Sequence, residues 1–157
     1  MSIRTRFSSI VHKNIPNQRL HIFGCGAIGS NVAIHLEKMG VNKFNLYDYD
    51  EVEQANIGVA PYTTKDIGKK KVDALSSILG AYCDVNVFKE EIKDDTNIKD
   101  IKGSIAILAF DNMKARMIVA KKICKENPKL LIDGRMGAQL FQMYVLQKPK
   151  LKDYIDL

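Results

Sequence analysis

The sequence predicts an α/β domain: a mostly parallel sheet with helices on both faces. Two observations carry that expectation. Compact apolar runs alternate with helical apolar stripes along the chain. The run SIAILAF is apolar with little alternation, which suits a strand covered on both sides.

The elements follow in order. Residues 2–14 read as a short amphipathic helix. RLHIFG is an apolar run closed by glycine, the first strand. Ile28, Val32, Leu36 and Met39 recur at steps of three and four, giving a helix from Ile28 to Met39, stopped by Gly40. KFNLYD is the second strand, and 49–66 is a polar connection containing Pro61. Val72, Leu75, Leu79 and Tyr82 form the next helical stripe. DVNVFKEEI is the third strand, DDTNIKDIKG a short polar segment with room for a helical turn, and SIAILAF the fourth strand. Asp111 stands where it can cap a helix striped by Met113, Met117, Ala120 and Cys124. KLLIDG is the fifth strand, and AQLFQMYVLQ is a longer one, at or near an edge. Right-handed crossovers then build a Rossmann-like sheet whose ligands sit at the carboxyl ends of the strands. Those ends hold GCGAIG, YDYD, AFDN and DGRMG.

A chain of 157 residues, 46% hydrophobic, suffices for one domain. The expectation is one unit over 1–157, with 1–18 a helical arm and 148–157 a lysine-rich tail. No apolar run is long enough for a membrane span, and the N-terminus lacks a signal-peptide core. Cys25, Cys83 and Cys124 are far apart and form no CxxC, so neither zinc nor a disulfide framework is expected. They read as small packing groups, Cys25 inside the glycine turn and Cys83 and Cys124 in helices, and a reducing cytoplasm suits them. Net charge is +6, with lysines gathered in TKDIGKKKVD, AKKICKENPK and QKPKLKD. These runs read mainly as solvated surface, with anionic partners the other reading. No aromatic residues interleave with them, so nucleic acid is not an expected partner.

Gly24-Cys25-Gly26-Ala27-Ile28-Gly29 is a GxGxxG between a strand and a helix. Gly24 permits the turn, Gly26 lets the backbone approach phosphates, and Gly29 lets helix and strand pack closely. Amides at the helix start, at Ala27 and Ile28, face an anion. Asp48 ends the second strand, nineteen residues after Gly29, where an acid reaches ribose hydroxyls or merely begins the turn. Up to this point NAD and ATP fit equally.

The next residues separate them. Asp48, Asp50, Glu51 and Glu53 crowd one stretch, more acid than a simple dehydrogenase needs. Asp48 to Asn56 is similar to the D-x-D-x-V-x-x-x-N pattern of the ThiF/MoeB group of the ubiquitin-activating-enzyme family. Asp66 to Lys71 resembles the group's D-[IV]-G-x-x-K segment, and Asp111 to Arg116 its D-N-x-x-x-R segment. Three motifs in order, behind a GxGxxG, span roughly residues 20–145. The resemblance implies a domain that binds ATP with Mg²⁺ and adenylates the C-terminal carboxylate of a small ubiquitin-like or sulfur-carrier protein. It implies Lys71 on the phosphates, Asp111 near Mg²⁺ and Asn56 at the phosphate end. Asp50 and Asn112 join the nucleotide site. A homodimer is implied too.

The pattern also breaks. Val59 stands where the group carries an arginine, and Arg4, Arg6 and Arg135 are the candidate replacements. Arg135 could equally anchor a loop, and Arg116 could make a structural ion pair. The crossover-loop cysteine of thioester-forming members is not matched, so adenylation is the most expected of this chain alone. Two other readings stand beside this one. One is a nucleotide- or partner-binding module with reduced catalysis. The other is an NAD-dependent oxidoreductase, for which His12, His21 and His35 offer no obvious acid–base pair.

Overall fold

The computed structural model describes residues 18–137 and 139–157. The helix expected over 2–14, with Arg4, Arg6 and His12, lies outside the described residues.

The elements are β1 (Leu20–Phe23), α1 (Ala27–Lys38), β2 (Lys43–Tyr47), α2 (Lys71–Ile78), β3 (Asp84–Phe88), β4 (Ile105–Leu108), α3 (Met113–Lys125), β5 (Leu130–Gly137), β6 (Leu140–Gln147) and α4 (Leu151–Ile155). They form one sheet in the order β3-β2-β1-β4-β5-β6. The first five strands are parallel and β6 returns antiparallel against β5. β1 is therefore central, with Ile22 level with Leu46 on one side and Ile107 on the other. No helix among the described residues is long and apolar enough to cross a membrane.

Alternate residues of the strands feed two cores. Leu20, Ile22, Phe44 and Leu46 pack with Ala33 of α1 and with Val72 and Leu75 of α2. Phe23, Tyr47, Ala106, Leu108 and Leu131 pack on the other face with Val119 and Ile123 of α3 and Tyr154 of α4. Each large side chain taken fully from water contributes about 1.5–3 kcal/mol, so this two-sided burial is what fixes the layers.

Four local expectations need correction. The second helix stops at Ile78 rather than reaching Tyr82, because Leu79 turns extended and the chain folds back at Gly80. A Cβ there would run into the Tyr82 ring, whose hydroxyl bonds Glu37 of α1. Cys83 lies in that same turn rather than in a helix. The segment 94–103 forms turns and no helix, since burying Ile98 and Ile101 against the second core governs its path. Finally, the residue capping α3 is Asn112, whose Oδ1 accepts the Lys114 and Ala115 amides at 2.8 and 3.4 Å. Asp111 lies one position too early to reach them. The segment 148–157 carries its lysines outward while α4 buries Tyr154.

Candidate nucleotide site

The glycine turn leaves β1 with the Gly24 amide bonded to the Tyr47 carbonyl at 2.8 Å. Gly24 has φ +96°, and a Cβ there would stand 2.9 Å from the Ala109 carbonyl group. A Cβ on Gly29 would collide with the Gly24 carbonyl oxygen, so α1 can lie this close to β1 only with glycine. Above Gly26 the space is open: a Cβ would meet nothing within 4 Å. No side chain caps α1, and its first turn holds no acid. The amides of Ala27, Ile28 and Gly29 thus stand at the start of a twelve-residue helix that has no capping side chain and no acid in its own first turn.

Asp48 locks this turn to the end of β2. Its Oδ2 accepts the Cys25 amide at 2.7 Å and its Oδ1 accepts the Asp50 amide at 2.9 Å. Burial pushes its pKa up, against those two amides and Lys71. Tyr62, which sequence reasoning missed, donates its hydroxyl to the Cys25 carbonyl at 2.6 Å. Nothing in its sequence context marks it beyond an aromatic following Pro61. Cys25 itself is fully buried and its thiol pKa is pushed well up by burial, consistent with packing.

Three consecutive lysines fan out to different partners. Lys69 pairs with Asp66 at 2.9 Å, and Lys70 donates to the Tyr49 carbonyl at 2.8 Å. Lys71 turns inward, with its side chain 12% exposed and its Nζ 2.9 Å from Asp50 Oδ2. Burial works against its charge, but the Asp50 hydrogen bond and the charges of Asp48, Asp50 and Asp111 outweigh it, and its pKa is raised. The structure therefore brings Lys71, Asp48, Asp50 and Asp111 into one electrostatic neighbourhood beside the glycine turn.

Asp111 follows β4 and is exposed, and its carboxylate has no hydrogen bond or ion pair among the described residues. A carboxylate without a structural partner, within the electrostatic reach of Lys71, is one hard oxygen donor of the kind Mg²⁺ takes. No group of three or more His, Cys, Asp or Glu side chains placed to hold a metal occurs among the described residues. Any Mg²⁺ here would thus depend on Asp111 and on the ligand's own phosphates. Asn112 uses its Oδ1 as the α3 cap. Asn56 similarly uses its Oδ1, on the Glu53 amide at 2.9 Å, to cap a short turn, which leaves its side-chain amide for a ligand. Val59 is exposed, and its carbonyl accepts from Asn31 of α1 at 3.1 Å.

Arg116 and Arg135 resolve differently from Lys71. Arg116 is buried and ion-paired to Asp133, and it also donates to the carbonyls of Phe110 and Gly134. Arg135 donates to Asp133 at 2.8 Å and stacks over the Tyr144 ring at 4.5 Å. Both act as anchors on β5. Sequence reasoning also missed a concavity of about 870 Å³ walled by Tyr47, Phe88, Glu90, Glu91, Thr96 and Asn97. It opens beside the site rather than over the glycine turn, with Tyr47 the shared wall, and the bare amides mark the turn as the phosphate end.

The two described histidines, His21 and His35, bond elsewhere. His21 is buried, with Nδ1 3.1 Å from the Tyr47 hydroxyl and Nε2 3.2 Å from the Asp100 carbonyl. His35 bonds the Asn31 carbonyl along α1.

Comparison with known proteins identifies relatives of the chain. The chain is 31% identical over 131 residues to the ubiquitin-like modifier-activating enzyme 5 of Caenorhabditis elegans, covering 74% of this chain and 31% of that protein. It is 30% identical over 123 residues to the adenylyltransferase and sulfurtransferase MOCS3 of Dictyostelium discoideum, covering 75% and 29%. It spans about a third of the length of such relatives. The fold superposes on Escherichia coli MccB, crystallised with MccA-N7isoASN, with a TM-score of 0.77 at 22% identity over 92% of this chain and 48% of that one. The ThiF family model matches residues 3–154, and the chain belongs to that family.

Proposed function

We propose that the chain is an ATP-binding domain that adenylates the C-terminal carboxylate of a small ubiquitin-like or sulfur-carrier protein. The observation that carries this reading is Lys71, turned inward beside the bare amides of the glycine turn, paired to Asp50 and within the electrostatic reach of Asp111. The names of the relatives, a modifier-activating enzyme and an adenylyltransferase, support the same chemistry.

In the reaction, a carboxylate oxygen of the carrier forms a bond to the α-phosphorus. The bond from that phosphorus to the bridging oxygen breaks, and pyrophosphate leaves with the electron pair. Two anions must meet, so positioning and charge neutralisation do most of the work. The Gly26–Gly29 amides hold phosphate oxygens. Asp48, fixed by Cys25 and Asp50, presents its remaining lone pairs to the ribose. Lys71 exchanges Asp50 for phosphate. Asp111 would hold Mg²⁺, which would neutralise charge on the phosphates when bound. Asn56 and Asn112 offer their side-chain amides.

Val59 favours a second reading, a nucleotide- or partner-binding module of the same fold with reduced catalysis, because one phosphate-contacting cation is missing. Pyrophosphate exchange with carrier proteins ending in Gly-Gly separates the two. Exchange well above a Lys71→Ala control supports adenylation. ATP binding without exchange above that control leaves the binding module. Calorimetry with ATP and Mg²⁺ against NAD tests the nucleotide, and tighter binding of NAD would overturn both.

A homodimer built on the β5–β6 end of the sheet, in a reducing cytoplasm, completes the proposal. Met136, Phe141, Met143 and Val145 are at least half exposed there, and β6 carries no charge from Leu140 to Gln147. Edge strands are normally blunted by charge, and an uncharged apolar face is self-complementary.

A further inference from the structure

We propose that Tyr154, Asp133 and Arg116 are positioning residues for Asp111, so that the C-terminal helix α4 helps to set the β4–α3 turn of the nucleotide site. The inference rests on the adenylation reading and adds residues to its site.

The linkage is continuous and buried. The Tyr154 hydroxyl donates to Asp133 Oδ2 at 2.9 Å, and Arg135 Nε donates to the same oxygen at 2.8 Å. The other oxygen, Oδ1, is ion-paired to Arg116. Arg116 then grips two carbonyls with one nitrogen: Gly134 at 2.9 Å, and Phe110, the residue before Asp111. Tyr154, Asp133 and Arg116 are 2%, 1% and 3% exposed. A planar guanidinium with several donors in a fixed fork can join a strand, a helix and a turn at once, which a lysine cannot do.

Asp111 makes no hydrogen bond or ion pair of its own among the described residues, so its direction depends on the backbone that carries it. That backbone is held from three sides: the Ala109 amide bonds the Phe23 carbonyl at 2.8 Å, Asn112 caps α3, and Arg116 holds the Phe110 carbonyl. The third hold alone reaches back to β5 and α4. Burying three polar side chains is costly unless all their groups are satisfied. Here the satisfied set converges on a carbonyl one residue from the candidate Mg²⁺ ligand. Tyr154 thereby gives the segment 148–157 a task at the site.

The test uses Tyr154→Phe, which removes one hydroxyl and keeps the packing, and Asp133→Asn. Two readouts are compared with the unaltered protein. Amide hydrogen exchange at Lys114, Ala115 and Arg116 reports on the first turn of α3. Calorimetry with ATP, with and without Mg²⁺, reports on Asp111. We expect Tyr154→Phe to speed exchange in the first turn of α3 about five- to tenfold, comparable to the loss of one buried hydrogen bond. We expect it to reduce the Mg²⁺-dependent part of ATP affinity several-fold while Mg²⁺-free binding holds. Asp133→Asn should do the same more strongly. Faster exchange confined to α4 and β5, with the Mg²⁺-dependent affinity unchanged, overturns the proposal. If the unaltered protein binds no ATP at all, the adenylation reading fails, and the exchange at Lys114 to Arg116 still decides whether α4 sets the turn.

Discussion

Gly29 and His21 show how single residues constrain this protein in opposite ways. At Gly29 the constraint is steric: a methyl group would meet the Gly24 carbonyl. Gly29→Ala is expected to lower stability by about 2 kcal/mol or more, because backbone rather than a flexible side chain must shift. A denaturant titration checks this, and an unchanged midpoint would refute the tight α1–β1 approach. At His21 the constraint is electrostatic. Burial pulls its pKa from the usual 6.5 down to about 4. Between those values the unfolded chain binds more protons than the folded one. Stability contributed by neutral His21 is therefore complete above pH 6.5 and is lost as pH falls toward 4. The loss amounts to about 3 kcal/mol. Unfolding free energy measured from pH 7 to pH 4 should fall less steeply in His21→Gln than in the unaltered protein. Equal slopes would mean His21 does not titrate as its burial demands.

At the scale of elements, α3 shows a division of labour between neighbours. Asn112 caps the helix and so leaves the Asp111 carboxylate without a structural duty. Losing such a cap typically costs about 1 kcal/mol. Asn112→Ala should therefore melt a few degrees lower, and Asp111→Ala should not. The reverse order in calorimetric or circular-dichroism melts would return the cap to Asp111. The DN pair was legible in the sequence as a helix start. Which of the two residues caps was not, because the choice turns on one backbone dihedral pair at Asn112. The α2 stripe failed at Tyr82 for a related reason: periodicity counts apolar spacing, whereas the fold-back at Gly80 is decided by contact with α1.

Across the whole molecule, the sheet order sets what can meet. β1 in the middle brings Gly24, Asp48 and Asp111 to one end from three different strands. It leaves β6 as an uncharged edge with Phe141 and Met143 exposed. Phe141→Lys, on that edge, is expected to shift sedimentation from dimer to monomer while leaving the melting of isolated subunits nearly unchanged. Monomers in both proteins at micromolar concentration would remove the proposed dimer.

The sequence by itself determined the layered α/β plan, the glycine turn, and the three motifs with their order, since these depend on local spacing and on residue types that tolerate few alternatives. The motif spacing already singled out Lys71 among three adjacent lysines, but tertiary structure alone decided that it pairs with Asp50 and that Asp48 clasps the Cys25 amide. It alone joined Arg116 and Tyr154 through Asp133. Those outcomes depend on which strands become neighbours, and a carboxylate selects its partners by distance in space, which no local spacing encodes.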